Sequence, residues 1–181
     1  MTTYPMRTLI VPGLGDSGPA HWQTLWEKTN PGFRRVRQRH WDKPQLGAWS
    51  LRIKGEVQAE DGPVLLVAHS FGCLAAIRAV QRLGRRVVGA LLVAPADPDK
   101  FGVADDLPSG PFEFPAMLVA SRNDPWLSFE KARQLAERWG AELVDAGEVG
   151  HLNADAGFGP WPEGERLLAD LTGRSKVFIG K

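Results

Sequence analysis

Ser70 stands in Ala68-His69-Ser70-Phe71-Gly72, directly after the apolar run Val64 to Ala68 and directly before a helical pattern. A serine at a sharp strand-to-helix corner has its hydroxyl pushed out over the carboxyl end of a sheet, where it can attack a carbonyl carbon. Small residues on either side let strand and helix pass closely. Gly72 supplies one of them, and Ala68 stands where the G-x-S-x-G pattern has glycine. A serine that merely caps the next helix gives the same local pattern. The assignment therefore depends on whether the chain also offers a base, an acid and amides for a developing negative charge.

The base must come from four histidines, His21, His40, His69 and His151. His151 lies in Gly150-His151-Leu152-Asn153, after the last strand-like run and before the final helical one, which puts it on the same rim as Ser70. His69 precedes Ser70 on its strand and is expected to point away from the nucleophile. His21 and His40 come early, against the chain order serine, acid, histidine, and are read as loop or cap residues. The acid is Asp124, in Ser121-Arg122-Asn123-Asp124-Pro125-Trp126 after the run Ala116 to Ala120. Such a carboxylate orients the imidazole and stabilises its protonated form, although Asp before Pro is also a common turn former. Asp97, beyond the preceding run, is the alternative acid. Cys73, just inside the helix after Ser70, reads as buried packing rather than a thiolate. No cluster has the spacing of metal ligands, so no metal is expected.

The stretch Pro12-Gly13-Leu14-Gly15-Asp16-Ser17-Gly18-Pro19 admits two readings. Gly13, Gly15 and Gly18 spell G-x-G-x-x-G between a strand and a helix, the pattern of an NAD(P) site. In that motif the third glycine lies in the opening turn of the helix. Here Pro19 follows Gly18 and favours the first helical position, so the helix should begin after the glycines end. Asp16 would also set a negative charge beside the phosphates. As half of an oxyanion hole the loop reads better: the N–H of Leu14 would join the N–H of Phe71, the residue after the nucleophile.

These residues need a scaffold that gathers loops at one edge. Strand-like runs at Thr8–Val11, Phe33–Arg39, Val64–Ala68, Val88–Val93, Ala116–Ala120 and Glu142–Asp145 alternate with helical stretches near Pro19–Thr29, Leu46–Glu60, Phe71–Leu83, Phe129–Trp139 and Glu163–Leu171. Alternation of this kind gives a mostly parallel, doubly wound α/β sheet with helices on both faces, in three α/β/α layers. Ligands bind at the carboxyl ends of its strands. The run Phe33–Arg39 carries four arginines and little to bury, which suits an exposed sheet edge, with bland exposure preferred over an anion-binding role. The tryptophans are mostly core or pocket lining, with Trp22 and Trp126 beside the site loops.

Length and charge limit what this scaffold serves. The 181 residues fit a single domain, residues 1–181, with no room for a separate substrate domain. A formal net charge of +1 gives no sign of nucleic acid or an anionic membrane as partner. The longest apolar runs are strand-sized. One cysteine excludes an internal disulfide, and the opening Met1 to Arg7 lacks the features of a signal peptide, so a cytoplasmic location is expected.

Taken together, Pro12-Gly13-Leu14-Gly15, His21-Trp22, Ala68-His69-Ser70-Phe71-Gly72, Asn123-Asp124-Pro125 and Gly150-His151-Leu152-Asn153 resemble the small, capless α/β-hydrolases of the retinoblastoma-binding serine hydrolase type, the YdeN-like esterases. The resemblance covers nearly the whole chain. It implies a six-stranded core without a large lid, a Ser70–Asp124–His151 triad and esterase-like activity on small acyl substrates, without a cofactor. His21, Trp22 and Trp126 would contact the substrate. The segment from Asp97 to Phe114 is too short for a full lid. A second reading keeps the fold but makes the chain a protein-interaction module of weak activity. The third is the NAD(P)-binding protein on Gly13, Gly15 and Gly18.

Overall fold

The computed structural model describes residues 5–179; the opening segment considered above for a leader begins outside them. Six strands form one parallel sheet: β1 (Arg7–Val11), β2 (Phe33–Arg35), β3 (Val64–His69), β4 (Val87–Val93), β5 (Ala116–Ala120) and β6 (Glu142–Asp145). Their order across the sheet is β2-β1-β3-β4-β5-β6. The helices are α1 (Trp22–Thr29), α2 (Leu46–Ala59), α3 (Phe71–Val80), α4 (Phe129–Trp139) and α5 (Pro162–Ile179). None of the described helices is long and apolar enough to cross a membrane.

Strand alternation sorts side chains onto two cores. Leu9, Val11, Leu66 and Ala68 meet Trp49, Ile53, Leu74, Ile77 and Leu135 of α2, α3 and α4 on one face. Ile10, Leu65 and Val67 meet Trp22, Trp26, Leu168 and Leu171 of α1 and α5 on the other. Each large side chain buried this way stabilises the fold by about 1.5–3 kcal/mol. The second core contains an indole cluster: Trp22 lies edge-on to Trp26 and Trp161, with ring centres 4.7 and 5.2 Å apart.

Several boundaries differ from expectation, among them the end of α3, at Val80 instead of Leu83. Strand β2 ends at Arg35, with one more bond from the Val36 N–H to the Ile10 carbonyl, and then leaves the edge. Helix α1 opens at Trp22 with His21 as its cap, so Pro19 belongs to the preceding turn. Helix α5 starts on Pro162, a residue suited to a first helical position, and runs past the expected end at Leu171. Gly173 within it costs about 1 kcal/mol relative to Ala, offset by close packing on β4. A Cβ on Gly89 of β4 would lie 2.4 Å from Ser175 Oγ, so the bare backbone there lets α5 approach.

The chain leaves β1 outward to β2 and returns on the other side of β1 as β3. Loops after β1 and β3 therefore part in opposite directions, and a crevice opens between them at the carboxyl edge. That edge carries the site.

Candidate active site

Ser70 joins β3 to α3 at φ 54° and ψ −128°, a conformation that costs a non-glycine residue about 1–3 kcal/mol. Close packing holds it there. A Cβ on Gly72 would lie 2.3 Å from the Pro12 carbonyl oxygen and 2.6 Å from that of Val11, so only glycine lets α3 pass the end of β1. A Cβ on Gly13 would lie 2.8 Å from Ser70 Cβ, which places the glycine loop directly against the serine.

His151 and Asp124 reach Ser70 from the loops after β6 and β5. His151 Nε2 is 3.0 Å from Ser70 Oγ, while its Nδ1 lies 2.9 and 3.1 Å from the two oxygens of Asp124. With Nδ1–H donating to the carboxylate, the Nε2 lone pair faces the hydroxyl. Asp124 also accepts the Trp126 N–H at 2.9 Å, and its side chain is only 3 % exposed. An imidazole so held can take a proton from Ser70 and keep the resulting charge beside a carboxylate.

Both loops are fastened. Asn123 Oδ1 accepts the Gly150 N–H at 2.7 Å, and Ser121 Oγ accepts the Val149 N–H at 3.0 Å, so the acid loop grips the histidine loop. Leu152 sits at φ 46°, and its carbonyl accepts the Trp22 indole N–H at 2.9 Å. From the nucleophile side, His69 Nε2–H donates to the His151 carbonyl at 2.9 Å. Gln23, fully buried, spans the sheet end by donating to the Val11 and Val67 carbonyls and accepting the Ser17 hydroxyl.

Several expectations change here. Trp22 is fully buried and supports Leu152; it does not reach the cavity where a substrate would sit. His69 does not point away: its ring centre is 4.9 Å from that of His151, and it lines the same cavity as Ser70. Being on the Val67 face of β3, it emerges where α1 begins. Arg35 is not a bland edge residue. It pairs with Asp16 and Glu27 at 2.9 Å and bonds the Ser17 carbonyl, tying the glycine loop to α1 and β2. Gln23, Asn123 and Ser121 carry structural weight that no sequence pattern assigned.

Other candidates keep their places. His21 caps α1 by accepting the Gln23 N–H at 3.2 Å, and it lines a cavity of about 300 Å³ with Leu14, Ser70, His151, Asn153 and Asp155. Burial, helped by Arg35 and His151, lowers its pKa to about 4. Burial likewise holds His69 well below the usual histidine range, so both rings are neutral at pH 7. Trp126 is exposed at the rim, its ring centre 6.3 Å from that of His151. The Leu14 amide has no protein acceptor among the described residues, and the Phe71 amide belongs to the first turn of α3, where no intrahelical acceptor exists. Asp97 is held by Lys131 instead of a histidine. Burial pushes the Cys73 thiol up, far from thiolate chemistry. Gly18 lies outside α1, and Gly13 abuts Ser70, an arrangement unlike a helix-opening pyrophosphate loop.

The parallel sheet, its strand order and the serine turn after the third strand define a small α/β-hydrolase fold without a large lid. A family model described as serine hydrolase matches residues 8–170, and the chain belongs to that family. A YdeN-like hydrolase from Pectobacterium atrosepticum is 43% identical over 96% of this chain and 92% of that one, with a TM-score of 0.89. The ydeN gene product from B. subtilis is 22% identical over 93% and 100%, with a TM-score of 0.76. Est1E from Butyrivibrio proteoclasticus, solved with ferulic acid bound, shares the fold at 13% identity over 99% and 91%, with a TM-score of 0.68. No curated protein sequence matches the chain.

Proposed function

We propose that this serine hydrolase cleaves small acyl esters, or related thioesters or amides, through an acyl-enzyme on Ser70. The observation that carries the reading is the continuous contact from Ser70 Oγ through His151 to Asp124. Ser70 Oγ attacks the carbonyl carbon as its proton passes to His151 Nε2. The amides of Leu14 and Phe71 hold the oxyanion, each such donor contributing on the order of 3–4 kcal/mol. Collapse breaks the bond to the leaving group, which takes the proton from His151. Water then attacks the acyl carbon, giving its proton to His151, and the acid departs as Ser70 recovers its own. Asp124 keeps the imidazole in one tautomer and stabilises its charged form.

His21 and Trp126 are the side chains we assign to substrate contact, His21 from inside the cavity and Trp126 from its rim. The reading takes the chain as a single domain acting on free small molecules in the cytoplasm, in keeping with a lone buried cysteine.

Nitrophenyl esters of increasing acyl length test it. Short esters are expected to turn over, with Ser70→Ala, His151→Ala and Asp124→Ala each lowering kcat by about 10⁴–10⁶. Full activity in Ser70→Ala overturns the mechanism.

A further inference from the structure

The second strand's arginines do not all share the internal role of Arg35. Arg37 and Arg39 continue past β2 and, with His40, Lys43 and Arg52, line a groove of about 760 Å³ against α2. No acidic side chain lines it, in a chain whose acids and bases nearly balance. Arg52 is paired with Glu56 on its own helix. Arg37, Arg39 and Lys43 have no carboxylate within salt-bridge distance among the described residues; the same holds for exposed Arg82, Arg85 and Arg138, while Arg34, Arg122, Arg133 and Arg174 are paired, so what sets these three apart is that they converge on one concave surface. Asp42, on the same loop, is exposed and outside the lining. Unneutralised cations around a concave surface raise the local concentration of anions.

The groove adjoins the catalytic edge. Trp41, between the lining residues His40 and Lys43, accepts the Gly15 N–H through its carbonyl at 3.0 Å. Gly15 follows Leu14, which lines the cavity containing Ser70. The loop that carries the groove's cations is thus tied by a hydrogen bond to the glycine loop that lines the Ser70 cavity. A molecule with its acyl group at Ser70 and an extended leaving group would cross the glycine loop to reach the cations.

We propose that this groove is an anion subsite that receives the phosphate-bearing portion of an extended acyl substrate, a thioester or ester whose leaving group carries phosphate. Several cations on a concave surface suit a multiply charged phosphate better than a lone carboxylate, since each phosphate oxygen accepts charge-assisted bonds. The assignment rests on Ser70 being the nucleophile, and it sets the substrate class that the small cavity alone leaves open.

Binding and turnover separate the two claims. Inorganic pyrophosphate, titrated calorimetrically into the full chain at low ionic strength, is expected to bind saturably and to weaken with salt. Arg37→Ala/Arg39→Ala should weaken it by about tenfold, while Arg37→Lys/Arg39→Lys retains most of the binding. In parallel, acetyl-coenzyme A should show a KM about tenfold below that of S-acetyl-N-acetylcysteamine, which lacks the phosphates, and the gap should close in the double-alanine variant. Absence of saturable pyrophosphate binding, or equal binding by the double-alanine variant, overturns the subsite. Equal KM values for the two thioesters overturn its role in substrate recognition. If pyrophosphate binds as described but nitrophenyl esters and both thioesters are inert, the catalytic reading has failed and the groove serves another purpose.

Discussion

Asp97 follows β4 and Asp124 follows β5, so neighbouring loops each offer an aspartate with a largely covered side chain at the carboxyl edge. Their surroundings differ. Asp97 accepts the Lys131 ammonium and the Asp99 N–H. Burial alone would raise its pKa, and the Lys131 ammonium reverses this to hold the carboxyl below its ordinary value. Asp124 meets the His151 imidazole and the Trp126 N–H. A carboxylate already matched to a permanent cation has little to offer a reaction. One matched to an imidazole can stabilise that ring as it takes a proton, which is the condition for base catalysis. The comparison shows that a position on the rim is necessary for an acid and that the counter-group decides its role.

Exchanging either carboxylate for its amide tests this most severely. Asp124→Asn should lower kcat by about 10⁴ with the fold intact, because the amide permits the wrong imidazole tautomer. Activity close to wild type in Asp124→Asn would remove the distinction between the loops.

Acid stability probes the histidines packed beside the site. His21 has a folded pKa of about 4 against an ordinary 6.5. Between those values the unfolded chain binds a proton that the folded chain refuses, so stability is retained above pH 6.5 and falls as pH drops toward 4. The loss from His21 is on the order of 3 kcal/mol, and His69 adds in the same direction. Urea midpoints at pH 7 and pH 4.5 measure it. His21→Gln should reduce the difference; an unchanged difference would mean that His21 is not the proton acceptor.

The loop clamp should show next. Asn123→Ala removes the acceptor of the Gly150 N–H and frees the histidine loop from the acid loop. A displacement of about 1 Å can cost about 10²-fold in rate, so kcat is expected to fall on that scale with KM little changed. A fall in stability without a change in kcat would make Asn123 purely structural.

The smallest effect belongs to the acid that the site does not use. Asp97→Asn should leave kcat within about threefold, since its charge is spent on Lys131, while costing about 1–3 kcal/mol of stability by leaving that ammonium less well matched. A kcat loss comparable to that of Asp124→Asn would mean that the two loops are not distinct in role.

Much of this site was readable before any coordinates, because strand, turn and helix patterns locate the carboxyl edge and only a few residues there have the needed chemistry. Ser70, His151 and Asp124 lie within hydrogen-bond distance, each of the next, at that edge. What escaped were relations set by the third dimension. His69 was misplaced because alternation tells which face a side chain takes, not that α1 and the histidine loop converge on that face. Trp22 reads as a pocket residue because it stands beside a site loop, yet the helix turns it away from His21, leaving one ring in the core and the other in the cavity wall. Arg35 resembled Arg37 and Arg39 in sequence, and only its distance to Asp16 and Glu27 separates them. Helix α5 runs past its expected end at Leu171, and the bare backbone that lets it pack onward comes from Gly89, far away in the chain.

The central claim, that Ser70 is a nucleophile armed by His151, is tested most directly by treating the chain with a fluorophosphonate and locating the adduct by peptide mass spectrometry. One adduct per chain is expected, on Ser70, formed far more slowly in His151→Ala and absent in Ser70→Ala. A chain that stays unmodified, or one labelled equally well without His151, would contradict it.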